Sequence, residues 1–317
     1  MSKSNDNGRA LEFAYLTELT KVLLVFRNVV VEDSAGFEAS KKAWDKASDK
    51  EKEIFRSSAK AGIKGVLDCE PLLIDNADDT LRLKIPTDDK GKDGDVRDII
   101  IVRSEIGWEI GISVKNNHSA IKHPRLSSVL DFGEKWFGIK CSDDYWISIK
   151  PIFDKLNFKK KEGLKWNELS SKEDLVYVPL LKAFLAEIKN SYDLHGENLA
   201  QNMVEYLIGK HDFYKAIGRN RKRITEVQPY NLRGTLNKPS GHNKPKVIIP
   251  LALLPKRIIL ADFVPESKTT IEIIFDEGWH MTFRLHNASS RVEPSLKFDV
   301  QFKGMPANII CIEYKWD

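Results

Sequence analysis

The chain has 317 residues, 42% of them hydrophobic and 30% charged, with a formal net charge of +4. This balance describes a soluble globular protein of one large or two ordinary domains, basic enough to permit a polyanionic partner without requiring one. No apolar run reaches the roughly 18–20 residues that span a bilayer, and the polar N-terminus has no signal-peptide core. The three cysteines, Cys69, Cys141 and Cys311, are scattered without zinc-like spacing, so a cytoplasmic protein with reduced thiols and no membrane partner is expected.

Residues 1–7 read as disordered. A helix is predicted from Gly8 to about Val25, with Leu11, Tyr15, Leu16, Leu19 and Leu23 at helical spacing. A second helical stretch runs from about Phe37 to Lys64, its charge-rich centre a solvated face. The loop from Pro86 to Gly94 is too charged to be buried. A helix-like segment contains Asp131 to Phe137, a basic loop covers 155–166, and helices are predicted at 178–192 and 196–210. The part from Lys210 to Lys246 lacks a regular period. Strands are predicted at 247–249, 257–263, 270–275, 279–285, 296–302 and 309–316, with Asp276-Glu277-Gly278 as a hairpin turn. Trp136, Phe137, Tyr145 and Trp146 are assigned to the core. The order argues a mixed α/β (α+β) chain with a β-rich C-terminal region. The expected division is a catalytic core at 1–170 and a helical, then β-rich, recognition region at 171–317.

Two β-branched runs face each other across a polar break of hairpin size. They are Gly94-Asp95-Val96-Arg97-Asp98-Ile99-Ile100-Ile101-Val102-Arg103 and Trp108-Glu109-Ile110-Gly111-Ile112-Ser113-Val114-Lys115-Asn116-Asn117. A turn centred on Glu105-Ile106 pairs position 103 with 108, and counting back puts Asp98 opposite Ser113. Period-two alternation then puts Lys115 on the face of Ser113. The patch resembles the metal-dependent PD-(D/E)xK nuclease site, with Ser113-Val114-Lys115 standing where Glu-x-Lys would be. The plain alternative is a structural hairpin with an exposed acid and lysine.

Phosphodiester hydrolysis builds charge on oxygen, so it calls for a divalent cation and often a lysine that holds or polarises the nucleophile. Hard Mg2+ prefers oxygen ligands. Asp98 offers a carboxylate, the Val114 carbonyl a second oxygen, and Lys115 an ammonium for the attacking water. Ser113 is neutral, so a second acid is needed. Glu109 shares the face of Ser113 but lies four residues along the strand, roughly 13 Å away. Asp95 points to the other face of an ideal strand. Glu12, on the first helix, could reach the metal if that helix packs on the sheet, and it is preferred. Arg97 and Arg103 alternate away from Asp98, toward solvent, nucleic acid or local acids. His118 and His123 make a weak zinc pair without a nearby acid or cysteine.

Beyond this patch, the chain resembles the HaeIII-type restriction endonucleases. The resemblance rests on Gly8-Arg9-Ala10-Leu11-Glu12-Phe13-Ala14, on the two runs above, and on Lys122-His123-Pro124-Arg125-Leu126-Ser127. It rests also on Asp131-Phe132-Gly133 and on the stretch from Phe283 to Asp299. It covers the chain from near residue 8 to the C-terminus. It implies a restriction-endonuclease-like core sheet flanked by helices, in a type II enzyme of a restriction-modification system. Such an enzyme uses Mg2+ to cut double-stranded DNA within the palindrome GGCC. Asp98 and Lys115 carry over as catalytic. Ser113 departs from the superfamily's Glu and leaves the second metal ligand open among Glu12, Glu109 and Asp95.

Guanines ask for Arg or Lys in the major groove. The densest basic tract runs from Lys215 to Arg223 and offers Arg219, Arg221 and Arg223, followed by Arg233. Arg284 and Arg291 form a second set. Asn116, Asn117, His118, Lys122, His123 and Arg125, directly after Lys115, suit phosphates or base edges near the scissile bond. Each set has an ordinary reading as solvated surface or strand-closing loop. Two rival functions remain: a structure-directed repair or junction nuclease on the same core, and a non-catalytic DNA-binding module. A palindromic target favours two-fold action, by a homodimer or by monomers that meet on DNA.

Overall fold

A computed structural model describes residues 3–87, 95–118, 121–241, 243–287 and 289–317. The charged loop ahead of the hairpin, from Asp88 to Gly94, lies outside the described residues.

The helices are α1 (Lys3–Leu23), α2 (Ala35–Lys46), α3 (Asp49–Cys69), α4 (Pro71–Ile74), α5 (Phe132–Phe137), α6 (Asp143–Lys161), α7 (Val178–His195) and α8 (Glu197–Ile208). The strands are β1 (Val29–Val31), β2 (Leu81–Lys84), β3 (Ile99–Arg103), β4 (Trp108–Asn116), β5 (Arg125–Ser127), β6 (Phe213–Arg219) and β7 (Ile224–Tyr230). They continue as β8 (Ile258–Phe263), β9 (Thr270–Phe275), β10 (His280–Asn287), β11 (Ser295–Gly304) and β12 (Ile312–Lys315).

Two compact units emerge. The first comprises 1–119, 209–252 and 307–317; the second comprises 120–208 and 253–306. The chain therefore leaves the first unit and returns to it twice, and residue 170 falls inside the second unit rather than between the two.

The first unit holds a seven-stranded sheet in the order β1-β2-β3-β4-β6-β7-β12. The β1–β2 and β4–β6 pairs are parallel and the others antiparallel. The predicted α1 stripe of Leu11, Tyr15, Leu16, Leu19 and Leu23 is buried, in one cluster with Ile99, Ile101, Ile110, Ile112, Val114, Tyr214 and Val227 of the sheet. Burying each such side chain contributes about 1.5–3 kcal/mol, enough to fix which sheet face meets the helices. Helix α3 sits close to the sheet at Gly65, where a Cβ would lie 2.7 Å from the Tyr314 ring and 2.8 Å from Val227.

The second unit holds an antiparallel sheet in the order β5-β11-β10-β9-β8. Its core gathers Phe132, Trp136, Phe184, Phe283 and Phe298, ring against ring. Of the four aromatics assigned to the core, Trp136, Phe137 and Tyr145 are buried and Trp146 is half-buried.

Several local expectations are corrected. Helix α1 begins at Lys3, so residues 3–7 are helical. The predicted helix 37–64 is two helices. Ser48 interrupts it, its hydroxyl accepting from the Glu51 N–H while Glu51 accepts from the Ser48 N–H, a reciprocal cap that starts a new helix. The basic stretch 155–166 is largely the end of α6, where Lys159, Lys160 and Lys161 complement the helix dipole. The irregular part 210–246 contains two central strands, β6 and β7. Residues 247–249 form no strand. The turn at 276–278 holds: Glu277 and Gly278 both have positive φ, as a tight hairpin turn requires.

Candidate active site

The hairpin register is the one counted from the sequence. Arg103 pairs with Trp108 and Ile99 with Ile112, where the ladder ends; Asp98, one residue further, meets Ser113 through a side-chain hydrogen bond. The connection is a 3-10 turn over Ser104–Ile106, closed by Gly107 at φ 61°. Asp98 stands one residue beyond β3, and its N–H still donates to the Ile112 carbonyl at 2.9 Å.

Asp98 Oδ2 accepts from the Ser113 hydroxyl at 3.0 Å, the Val114 N–H at 2.7 Å and Lys115 Nζ at 3.1 Å. Among the described residues, all of these side-chain bonds land on Oδ2, which leaves the lone pairs of Oδ1 for a further partner. Both side chains of the Lys115–Asp98 pair are about one-fifth exposed, 23% and 21%.

Glu12 reaches this pair from α1. Burial and the neighbouring Asp98 carboxylate push its acid up to about 8, against the opposing pull of Ser40, Lys115 and Arg9. The Ser40 hydroxyl, on α2, donates to Glu12 Oε2 at 3.0 Å. An acid kept neutral first by burial and then by a nearby carboxylate is one that a bound cation would ionise.

The other two candidate acids are engaged elsewhere. Arg97 donates to both Asp95 oxygens and, at 2.7 Å, to Glu109 Oε1. Its aliphatic stem lies across Gly111, where any Cβ would collide with it. The side chain thus crosses the Ser113 face of β4 instead of alternating away, because Asp95 to Asp98 precede the regular strand. Arg103 is also buried, donating to Asp75 and Asp79. Arg27 donates to the same two acids. Both arginines named in the hairpin therefore pair with local acids.

Lys215 was not singled out from the sequence. It pairs with Ser113 across the parallel β4–β6 register and is only 5% exposed. Burial, Lys115 and Arg219 push its ammonium down to about 7, while Asp98 opposes them. The available signal was a lysine in the interior of a run with β-type residues on both sides, hidden because 210–246 was not recognised as strand.

The proposed DNA-contacting residues divide between the units. In the first, Asn117 has φ 61° and its side-chain carbonyl accepts from the Asn220 N–H at 2.9 Å, tying β4 to the β6–β7 turn. Asn116 is half-buried, its side-chain carbonyl accepting from Asn117, and His118 is exposed. Arg219 is committed internally, donating to both Glu226 oxygens and to the Asn117 carbonyl. Arg221 is exposed at the turn, Arg223 lies over Trp316, and the Arg233 side chain is exposed. In the second unit, Lys122 Nζ donates to the Tyr206 carbonyl and sits 3.7 Å from that ring's centroid. His123 lies 3.3 Å from the Phe298 carbonyl, Arg125 donates to Ser295, Arg284 donates to Asp299, and Arg291 is exposed.

Two carboxylates beside an ammonium are groups that hydrolysis of a phosphodiester can use. The class of protein this defines is a nuclease. The HaeIII restriction endonuclease family matches over residues 8–306, and the chain belongs to that family. It is 51% identical over 316 residues to "Type II restriction enzyme HaeIII" of Haemophilus aegyptius, covering 100% of this chain and 99% of the relative. No solved structure matches it. The chain is thus a type II restriction endonuclease, a phosphodiester hydrolase that cleaves DNA sequence-specifically. Among the described residues no helix is long and apolar enough to cross a membrane.

Proposed function

We propose that this enzyme cuts double-stranded DNA within GGCC, with Mg2+ as cofactor and Asp98, Glu12, Ser113 and Lys115 as its working side chains. The observation that carries the reading is the convergence of Ser113, Val114 and Lys115 on Asp98 Oδ2, with Glu12 beside them.

The donor set suits a hard cation. Among the described residues no three of His, Cys, Asp and Glu gather as a ligand group, so two acids would share the ion with water and backbone oxygen. Asp98 and Glu12 would hold it. A strand residue presents its N–H and C=O to the same neighbour. The Val114 carbonyl therefore faces the side on which its N–H meets Asp98, and it would supply a third oxygen. When bound, Mg2+ would offset charge on the phosphate and acidify a water. Lys115 then orients and polarises the attacking water, and Ser113 holds Asp98 in place through its hydroxyl.

The target GGCC is what the resemblance to HaeIII-type enzymes implies, and its palindromic symmetry favours action by two copies of the chain. Arg221, Arg223, Arg233, Arg284, Arg291, Arg125, His118, His123, Lys122 and Asn116 remain the DNA-contact candidates. Arg219 and Asn117 act in support, since their bonds hold the β6–β7 turn in place.

Incubation with plasmid DNA and Mg2+ tests the whole reading. Discrete fragments with ends inside GGCC are expected. Cutting confined to branched DNA would mean a junction nuclease, and binding without cutting would mean a DNA-binding module; either would sink the proposal.

A further inference from the structure

We infer that the outer face of the second unit's sheet, at its β5-β11-β10 end, seats the phosphate backbone of the DNA, with Lys297 as its central contact beside Arg125. The inference rests on the reading of the chain as a DNA-binding enzyme, and is independent of the target GGCC and of the active-site side chains. Lys297 pairs with Arg125 of β5 on one side and with His286 of β10 on the other. Laterally paired residues share one face of a sheet, and successive residues alternate between faces. Leu126, Leu296 and Leu285, the chain neighbours of these three, are buried, so the row lies on the face turned away from the aromatic core. Arg125 is exposed and Lys297 half-buried, on strands about 5 Å apart.

Charge sets this row apart. Like charges directly opposite each other destabilise a sheet, yet here an arginine stands opposite a lysine. The neighbouring row is matched: Arg284 stands opposite Asp299 and donates to it at 3.2 Å. On the β9 side His280 lies 2.7 Å from Glu272. Asp299 is engaged further by Gln301 and, at 3.8 Å, by His123. Among the described residues no acid pairs with Arg125 or Lys297. Arg125 donates to the neutral Ser295 hydroxyl at 3.1 Å, and His286 spends its Nδ1 on the Asn287 carbonyl at 2.8 Å. Two like charges held side by side without an acid are relieved by an anion that lies across both, and the backbone of DNA is such an anion. Ser127 and Ser295, paired in the next row of the same face, add hydroxyls, a second side-chain type that meets phosphates. Contacts of this kind fix the register of a protein on its duplex and carry no sequence information.

Salt-dependent titration tests this. The full chain and its Lys297→Gln, Arg125→Gln and Lys182→Gln variants are titrated in metal-free buffer, at several salt concentrations, with a GGCC duplex and a scrambled one. Lys182 is the control: it is exposed on α7, whose Phe184 packs against Phe298 on the opposite face of the sheet. Lys297→Gln and Arg125→Gln should each weaken both duplexes by the same factor and lower the salt slope by about one, with Lys182→Gln unchanged. An unchanged slope in Lys297→Gln, a loss confined to GGCC, or an equal drop in Lys182→Gln would overturn the inference. If Lys297→Gln does not melt as wild type does, acetylation of wild-type lysines with and without the scrambled duplex, read by mass spectrometry, replaces the titration. DNA should then protect Lys297 and not Lys182, and equal modification of Lys297 in both samples would overturn it. A wild type that binds neither duplex removes the DNA-binding reading itself, whereas a wild type that binds both, with the slope unchanged in Lys297→Gln, removes this seat alone.

Discussion

Lys115 Nζ lies 3.1 Å from the same Asp98 oxygen that accepts the Val114 N–H at 2.7 Å. The backbone N–H fixes where the carboxylate sits, and the carboxylate fixes where the ammonium sits. The two side chains are therefore positioned by the sheet itself, not by a loop.

Substitutions at Asp98 should separate charge from geometry. Asp98→Asn keeps an oxygen for the Val114 N–H and should fold and bind DNA, yet lose cleavage by orders of magnitude. Asp98→Ala leaves that N–H and the Ser113 hydroxyl without their acceptor and should also cost about 1–3 kcal/mol of stability. Denaturant melts and single-turnover cleavage check both. Substantial cutting by a folded Asp98→Asn protein would remove the hairpin from the mechanism.

Lys115→Ala should lose activity by orders of magnitude, and Lys115→Arg should not restore it. A planar guanidinium cannot take the place of a compact ammonium on one carboxylate oxygen. A cleavage rate near wild type in the Arg variant would count against water polarisation by this residue.

Glu12 and Glu109 should respond differently. Glu109 is paired with Arg97 at 2.7 Å, so Glu109→Gln should leave Mg2+ dependence almost unchanged. Glu12→Gln should raise the Mg2+ concentration needed for half-maximal cleavage. The same variant should alter stability without metal. The folded-state acidity of Glu12 lies near 8, above its ordinary 4.5. The folded protein therefore keeps a proton that the unfolded chain has lost. Stability is fully present below about 4.5 and declines as pH rises toward 8, at up to about 1.4 kcal/mol per pH unit. Relative to wild type, Glu12→Gln should gain stability over that window and gain nothing further above it. A flat difference from pH 5 to 8 would contradict the buried acid.

Much of the site could be read from the chain because a hairpin is local. The alternation of Ile99 to Arg103 against Trp108 to Ile112 and one short turn determine the register, and counting one residue further brings Asp98 to Ser113, which its side chain meets. The reach of Glu12 needed only a helix packed on the sheet. Lys215 could not be found that way. Its strand joins β4 in parallel after a separation of about a hundred residues, and nothing local specifies that pairing. The same distance hid β6 and β7 and the interleaving of the two units. Arg97 was misdirected because strand periodicity was extended past the residue where the ladder ends. The buried cluster of Arg27, Arg103, Asp75 and Asp79 joins residues from three separate segments, the two acids sharing the connection between α4 and β2, and left no pattern in any one of them.

The basic tract at the β6–β7 turn should divide by function. Arg219 donates to both Glu226 oxygens and to the Asn117 carbonyl, whereas Arg221 is exposed at the turn two residues on. Arg219→Ala should therefore loosen the turn and lower stability, with DNA binding affected only through that loss. Arg221→Ala should leave stability within about 0.5 kcal/mol, as surface changes usually do. Its effect on DNA depends on what it touches. A lost phosphate contact would weaken binding to every sequence alike and reduce the salt slope by about one. A lost bidentate guanine contact would cost about 1–3 kcal/mol on GGCC alone. Titrations of GGCC and scrambled duplexes at two salt concentrations distinguish these outcomes. If Arg221→Ala, Arg223→Ala and Arg233→Ala all bind as wild type does, the turn is solvated surface, and Arg284 and Arg291 on the second unit become the leading candidates for reading the site.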